Sequence, residues 1–254
     1  MYLAVPSQPS CAQAWLAATR CVSAQPNYEA LNVVIDIAQP DIESTVDIGI
    51  CTEVDQFLQA NQKPPTRSVA NTIFPQDVYE RHGAPAFYEV YLTKIFPRKA
   101  SGDWGRYFER MINLPNGAQN RPTNPLDGLV QKMRSHLHEN ERTFKNIYEL
   151  AIYDPARDAG RVMNRQCLSF LSFKLTDERR LMLTALYRNH YYMQRLLGNL
   201  LGLANLMKFI AQETKIDVGS LTIVSTHAEV DTIGNRKGTA ALIERCTSKL
   251  ATAV

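Results

Sequence analysis

The sequence has no paired cysteine motif. Its five cysteines, Cys11, Cys21, Cys51, Cys167 and Cys246, are odd in number and scattered, with no C-x-x-C and no histidine at zinc-ligand spacing. This spacing excludes a disulfide framework, predicts no metal site and points to a reducing compartment. No apolar run reaches the ~20 residues that span a bilayer. The most apolar stretch, Leu196 to Met207, is interrupted by Gly198, Asn199, Gly202 and Asn205. The opening MYLAVPSQPSCAQAW lacks the charged start and unbroken apolar core of a secretory signal, so a cytoplasmic protein with no membrane partner is expected. Charge of one sign is also scarce. Lys and Arg number 28 against 25 Asp and Glu, a net +3 that is too weak for a dedicated binder of nucleic-acid polymer. The sequence has no Gly-x-Gly-x-x-Gly fingerprint, which argues against a Rossmann-type redox domain, and no internal repeat or low-complexity segment.

What is present is the composition of an ordinary globular protein: 254 residues, 45% hydrophobic and 21% charged. A chain of this length buries roughly 70–75% of its unfolded surface without staples. The pattern predicts mixed helix and strand. Ala30 to Ile50 (LNVVIDIA, TVDIGI) reads as strands around a turn at Pro40-Asp41, and Gln59 to Thr66 as an exposed connection. Pro75-Gln-Asp starts a helix. Ser101 to Asn124 is too rich in glycine and proline for a long regular element. Asn124 then caps a helix with Pro125 in its first position and Leu126, Leu129, Val130, Met133 and Leu137 on one face. Arg142 to Tyr153 reads as a strand, and CLSFLSFKL and RRLMLTALYR as a hairpin turning at Thr176-Asp177-Glu178. His190 to Thr214 is a long buried helix, LTIVSTHAEV a strand, and Gly238 to Leu250 a terminal helix.

Four residues draw attention by their surroundings. Cys167 opens an apolar strand, where a cysteine is by default a small buried hydrophobe, yet Arg161 and Arg165 precede it and Arg188 ends the next strand. A cation across the hairpin lowers a thiol pKa. Asn199 lies on the apolar helix and must bond either the protein or a ligand, because an unpaired buried amide costs about 1–3 kcal/mol. His227 alternates with Ile223 and Ser225 on one face of its strand. Each has an ordinary structural explanation when taken alone: a packed cysteine, a satisfied core amide, a strand histidine, a salt-bridging arginine.

Taken in order, Cys167, Y-R-N at 187–189, L-G-N at 197–199 and S-T-H at 225–227 resemble the thymidylate synthase superfamily over Trp104 to Asp231, with a fainter likeness in D-W-G-R-Y-F at 103–108. The helix before the last strand, the D-V-G turn expected at Asp217 to Gly219, and His227 fall into the family's register. The resemblance implies an α/β (α+β) thymidylate synthase-like fold, a large mixed sheet packed with helices, in a homodimer. It makes residues 1–254 one domain, with 1–100 a divergent N-terminal part and 101–231 the portion resembling the family. It further implies a transferase that methylates or hydroxymethylates C5 of a pyrimidine mononucleotide (UMP, dUMP, CMP or dCMP). In that reading Cys167 is the catalytic nucleophile, Arg188 and Asn189 hold the phosphate, Asn199 reads the base, and His227 and Glu229 meet the sugar. Tyr107, Tyr191 and Lys145 are further site candidates, with Arg142 close to Lys145. The implied donor is 5,10-methylenetetrahydrofolate.

The sequence departs from the family at Gln166, where a proline is usual before the cysteine, at Tyr191, in place of the carboxylate that holds the pterin, and at Glu229, in place of a sugar-site tyrosine. Gly238 to Val254 stand where the family has its closing tail. Glu80 and Glu89 are the candidates for the family's catalytic glutamate. These departures keep two other readings open: a non-catalytic nucleotide-binding or regulatory protein on the same fold, and a folate-independent, cysteine-dependent pyrimidine nucleotide enzyme.

Overall fold

The computed structural model describes residues 2–98, 107–115, 122–139, 144–160 and 165–251. Among the described residues, seven strands form one mixed sheet: β1 (Leu3–Ala4), β2 (Glu29–Ile37), β3 (Tyr148–Ala151), β4 (Leu168–Leu175), β5 (Arg180–Tyr187), β6 (His190–Tyr191) and β7 (Asp217–Glu229). Their order is β1-β2-β7-β5-β4-β3, with β6 also pairing β7. The sheet therefore takes strands from both the first hundred residues and the later part of the chain. β4 and β5 form the expected antiparallel hairpin, whereas β5 and β7 run parallel and are joined by a helical crossover, as parallel neighbours require.

Ten α-helices accompany the sheet among the described residues: α1 (Cys11–Ser23), α2 (Thr45–Ala60), α3 (Thr66–Ile73), α4 (Gln76–His82), α5 (Ala86–Val90), α6 (Tyr107–Ile112), α7 (Pro125–Arg134), α8 (Pro155–Asp158), α9 (Leu197–Thr214) and α10 (Arg236–Ala251). None is long and apolar enough to cross a membrane. Paired strand residues share a face, so the register shows how the sheet divides. Val33, Ile35 and Ile37 of β2 sit opposite Ser225, Ile223 and Leu221 of β7, and the row continues through Ala185 and Leu183 of β5 to Leu171 and Phe173 of β4. All of these are buried, beneath α1 on β2 and α9 on β5 and β7. Fully burying one such aliphatic side chain is worth about 1.5–3 kcal/mol, so the helix-covered face carries the fold. The other face is open. Its central row runs Ala151, Phe170, Leu186, Val224, Val34 and Ala4, all half-buried or exposed.

Several expectations hold. Asn124 caps α7, its Oδ1 accepting from Asp127 N at 3.0 Å, with Pro125 in the first position and Leu126, Leu129, Val130, Met133 and Leu137 buried. Others need correction. The segment Thr45 to Ile50 is the start of α2, not a strand: Ser44 and Asp47 form a reciprocal capping box, and Ile50, Val54 and Leu58 are buried at four-residue spacing, so the cap and the helical period outweigh β-branched propensity. His190 and Tyr191 are extended as β6, because β7 runs far enough to pair them through Ala228 and Glu229; one π-helical turn, Tyr192–Leu196, then leads into α9. Asp217 to Gly219 already belong to β7. The turn falls instead at Lys215, in the left-handed region with φ of 56°. Within the breaker-rich Ser101 to Asn124, Tyr107–Ile112 forms the short α6. Of the strand expected over Arg142 to Tyr153, the described residues from 144 onward form strand at Tyr148–Ala151. Trp104, Arg142 and Arg161 lie outside the described residues.

A candidate cleft around Cys167

Cys167 stands one residue before β4, and its carbonyl accepts the Arg188 N–H at 2.9 Å, closing the open end of the hairpin. The chain then bends and resumes beside β7 as β6. A buried tether sets the next turn: Trp15 Nε1 donates to Tyr192 O at 2.9 Å, while the Asp231 carboxylate accepts from Met193 N at 2.8 Å and Gln194 Nε2 at 2.7 Å. This geometry puts Asn199, in the first turn of α9, over the end of the hairpin. Gly198 and Gly202 let α3 lie directly against α9. A Cβ on Gly198 would meet Val69 Cβ at 2.5 Å and Thr66 O at 2.7 Å, and one on Gly202 would meet Ala70 O at 2.7 Å. In a helix pair this close, no side chain larger than hydrogen fits at either position.

The result is a narrow cleft at the end of β4 and β5. Cys167, Asn189, Tyr191, Asn199 and Tyr107, all singled out from sequence, line it. They are joined by His190, Arg195, Val69 and Thr72, which sequence reasoning did not select. The cleft holds about 20 Å³ of space, roughly one ordered water.

The electrostatics of the cleft centre on the thiol. Burial pushes the Cys167 thiol above its ordinary value, and the guanidiniums of Arg188 and Arg195 act against that shift by favouring the thiolate. Arg188 also holds the backbone before the cysteine, donating from Nε to Gln166 O at 2.9 Å and from Nη2 to Arg165 O at 3.0 Å. Burial first, then the Cys167 sulfur, raises the Tyr107 phenol, while the nearby backbone of Leu168 and Cys167 and the Arg195 guanidinium act the other way. Beside both, the Tyr187 hydroxyl is buried with no partner among the described residues. An unsatisfied buried hydroxyl next to a thiol is a place for a ligand or water to bond.

Asn199 joins a buried polar chain. Its Nδ2 donates to His190 Nε2 at 2.9 Å, and His190 Nδ1 lies 3.1 Å from Ser225 Oγ. His190 stacks on Tyr187, with ring centroids 4.0 Å apart, and burial lowers its pKa to about 3, so the ring is neutral at pH 7. Because Nε2 accepts, the proton sits on Nδ1 and is donated to Ser225. At the rim, His227 Nδ1 bonds Asn189 Oδ1, and its Nε2 lies 3.6 Å from Glu29. Glu229 pairs across the strands with Glu29 and neighbours Tyr191. Burial first, then Asp231 and Glu29, raise its carboxyl, with His227 opposing. Lys145 is elsewhere in the chain: it pairs with Asp177 at 3.2 Å, at the turn end of the hairpin. Glu80 bonds Gln76 on α4 and Glu89 is exposed on α5; neither lines the cleft.

Of the four residues missed, Arg195 had a signal, since it precedes Asn199 by one helical turn and so shares its face. His190 follows the Y-R-N directly. Val69 and Thr72 had none, because α3 lies about a hundred residues from the hairpin and reaches the cleft only through tertiary packing. No protein-family model matches this chain, and a search of curated proteins finds no match.

Proposed function

We propose that the chain is a pyrimidine nucleoside 5′-monophosphate C5 transferase that activates its substrate through a Cys167 adduct. The observation that carries this reading is the convergence of Cys167, Tyr107, Asn189, Tyr191 and Asn199 on one cleft, beside the two guanidiniums that act on the thiol. In the first step the Cys167 thiolate bonds to C6 of the base, and the electron pair of the C5–C6 double bond moves toward C5 and O4. C5, otherwise unreactive, becomes a carbon nucleophile. It takes a proton (a deuteron in heavy water) from solvent; C5 then gives up its original hydrogen to solvent, and that electron pair re-forms the C5–C6 double bond as the thiolate leaves C6. Asn199 meets the base edge, and Arg188 and Arg195 serve both the 5′-phosphate and the thiolate, as delocalised guanidiniums suit. The cleft has room for about one water, so base binding requires its rim to open.

The described lining does not fit 5,10-methylenetetrahydrofolate held through a pterin-binding carboxylate. It contains no Asp or Glu, and Tyr191 occupies the position where the resemblance places that group. This favours, as a second reading, a folate-independent enzyme on the same cysteine chemistry. A homodimer belongs to the proposal, with the apolar row Phe170, Leu186, Val224 and Val34 as the surface a second copy would cover. Sedimentation should give twice the chain mass, and Leu186→Lys should return it to one; a monomeric wild type sinks that part.

The decisive experiment is exchange of the C5 hydrogen of UMP, dUMP, CMP and dCMP in heavy water, followed by NMR with and without methylenetetrahydrofolate. Exchange on one nucleotide that disappears in Cys167→Ala is the expected result, and equal rates with and without folate would select the folate-independent reading. Nucleotide binding without any exchange would overturn the enzyme in favour of a regulatory nucleotide binder.

A further inference from the structure

The two ends of the Asn199 amide do opposite things: Oδ1 only accepts hydrogen bonds and Nδ2 only donates them. Whatever holds one end decides which end a ligand meets. Nδ2 is held by His190 Nε2 at 2.9 Å, and the side chain makes no other hydrogen bond among the described residues. Oδ1 is thus left for the cleft, which Asn199 lines. We propose that His190 is a positioning residue that sets the base specificity of the cleft: by holding Nδ2 it turns the Asn199 carbonyl toward the ligand, so that uracil is selected over cytosine. The assignment rests on the pyrimidine-nucleotide reading of this same cleft and adds the base to it.

Uracil presents a donor at N3 and an acceptor at C4, whereas cytosine presents an acceptor at N3 and a donor at C4. With C6 seated on Cys167, N3 is the ring atom farthest from the sulfur, so it is the edge carrying N3 that reaches the α9 wall. There the Asn199 oxygen accepts from uracil N3–H but meets the lone pair of cytosine N3, acceptor against acceptor. Cytosine fits only if the amide turns over, which aims Oδ1 at His190. That arrangement needs the ring proton on Nε2, away from Nδ1, where it bonds Ser225 Oγ at 3.1 Å. The two arrangements differ in the place of one proton, so the cleft reads one base rather than both.

The surroundings stiffen this lock. His190 is buried and stacks on Tyr187, and β6 pins its backbone beside Ala228 of β7. Ser225 is fully buried, with Tyr192 Oη 3.5 Å from the same oxygen that faces Nδ1. No solvent reaches the ring to replace either partner, and an amide turned over without the proton shift leaves two buried acceptors face to face.

The test uses the full chain and binding of UMP, dUMP, CMP and dCMP followed by calorimetry, which does not depend on turnover. Wild type should bind a uracil nucleotide about tenfold or more tighter than its cytosine counterpart. NMR of the ring nitrogens should place the His190 proton on Nδ1. His190→Phe keeps a ring on Tyr187 but frees the amide, so the uracil-to-cytosine ratio should fall to within about twofold of one. Damage to the fold would weaken both nucleotides alike and leave the ratio. Should that variant not fold, Ser225→Ala removes the acceptor that holds the Nδ1 proton and should lower the ratio several-fold. Three results would overturn the role of His190 and leave Cys167-dependent exchange, and with it the transferase, standing: no uracil preference in wild type, a ratio unmoved by these substitutions, or a proton on Nε2. A uracil preference that responds to His190 without any C5 exchange would support the role of His190 and remove the transferase. Binding of none of the four nucleotides at about 1 mM would overturn both.

Discussion

α3 is the wall between two cysteine-lined spaces with opposite electrostatics. On one side, Val69 and Thr72 face the cleft of Cys167. On the other, Thr66, Arg67 and Ala70 line a cavity of about 240 Å³ that contains Cys11 and Cys51. All three thiols are raised first by burial. Around Cys167 the next influences are Arg188 and Arg195, which act the other way; around Cys11 they are Cys51, Asp47, Asp41 and Glu43, and around Cys51, pushed up to about 12, they are Glu43, Asp55 and Asp47. The difference teaches that burial alone makes a cysteine inert. The sign of the neighbouring charge decides which thiol can become a thiolate and act as a nucleophile.

The harshest test of that contrast is removal of the thiols. Cys167→Ala should reduce C5 exchange to the uncatalysed background, whereas Cys51→Ala and Cys11→Ala should leave the rate within about twofold. Exchange that tracked Cys51 instead would reverse the assignment. Next in size is chemical reactivity. Iodoacetamide at pH 8, read by peptide mass spectrometry, should label Cys167 well ahead of Cys51 and Cys11. Removing a cation removes stabilisation of the thiolate, so Arg195→Gln should raise the Cys167 pKa, move its labelling profile to higher pH and slow labelling several-fold at pH 8. Labelling of Cys51 should not change. A profile unmoved in Arg195→Gln would show that the guanidinium does not reach the sulfur.

The two sides of α3 also differ in buried histidine, since only the cleft has His190. Its pKa falls from 6.5 to about 3 on folding, so between those values the unfolded chain binds a proton that the folded chain refuses. Stability from this group is therefore complete above about pH 6.5 and is lost as pH falls toward 3, with a limiting slope of about 1.4 kcal/mol per pH unit. Urea titrations at pH 7 and pH 5 should show a smaller acid loss in His190→Gln than in wild type. NMR should show His190 neutral and protonated on Nδ1 at pH 5. An imidazolium at that pH would undo the polar chain from Asn199 to Ser225.

Legibility in the sequence followed how local each signal was. The β4–β5 hairpin was plain because LSFLSFKL and RLMLTALY alternate at period two and meet at a polar turn, and α7 because Asn124-Pro125 both caps and starts it. Thr45 to Ile50 misled because β-branched residues were weighed without the Ser44–Asp47 capping box three residues apart. His190–Tyr191 misled for a different reason: whether those residues are strand or helix depends on how far β7 extends, a non-local fact. In the cleft, Cys167 and Asn199 stand out by their own surroundings, whereas Asn189, Tyr107 and Tyr191 are picked out only through the family resemblance. The wall supplied by α3 is reached by neither route, since nothing in TRSVANTI marks it as the neighbour of a glycine pair on a helix 130 residues later.

That glycine pair gives the last and smallest effect, and it tests α3 as a common wall. Gly198→Ala forces a Cβ to within 2.5 Å of Val69 Cβ and 2.7 Å of the Thr66 carbonyl. The clash falls on backbone and on a β-branched side chain, neither of which can swing away, so α3 must move as a unit. Overpacking of this kind costs about 1–3 kcal/mol, readable as a lower urea midpoint. Because α3 faces both spaces, its shift should slow C5 exchange at Cys167 and also change the labelling rate of Cys51. Gly128→Ala is the matched control. Gly128 lies inside α7 with nothing within 4 Å of an added Cβ, so there alanine should stabilise by about 0.5–1 kcal/mol through helix propensity alone and alter neither thiol. If Gly198→Ala were as harmless as Gly128→Ala, the two helices would not be in the contact that forms the cleft, and the two cysteine environments would be independent of each other.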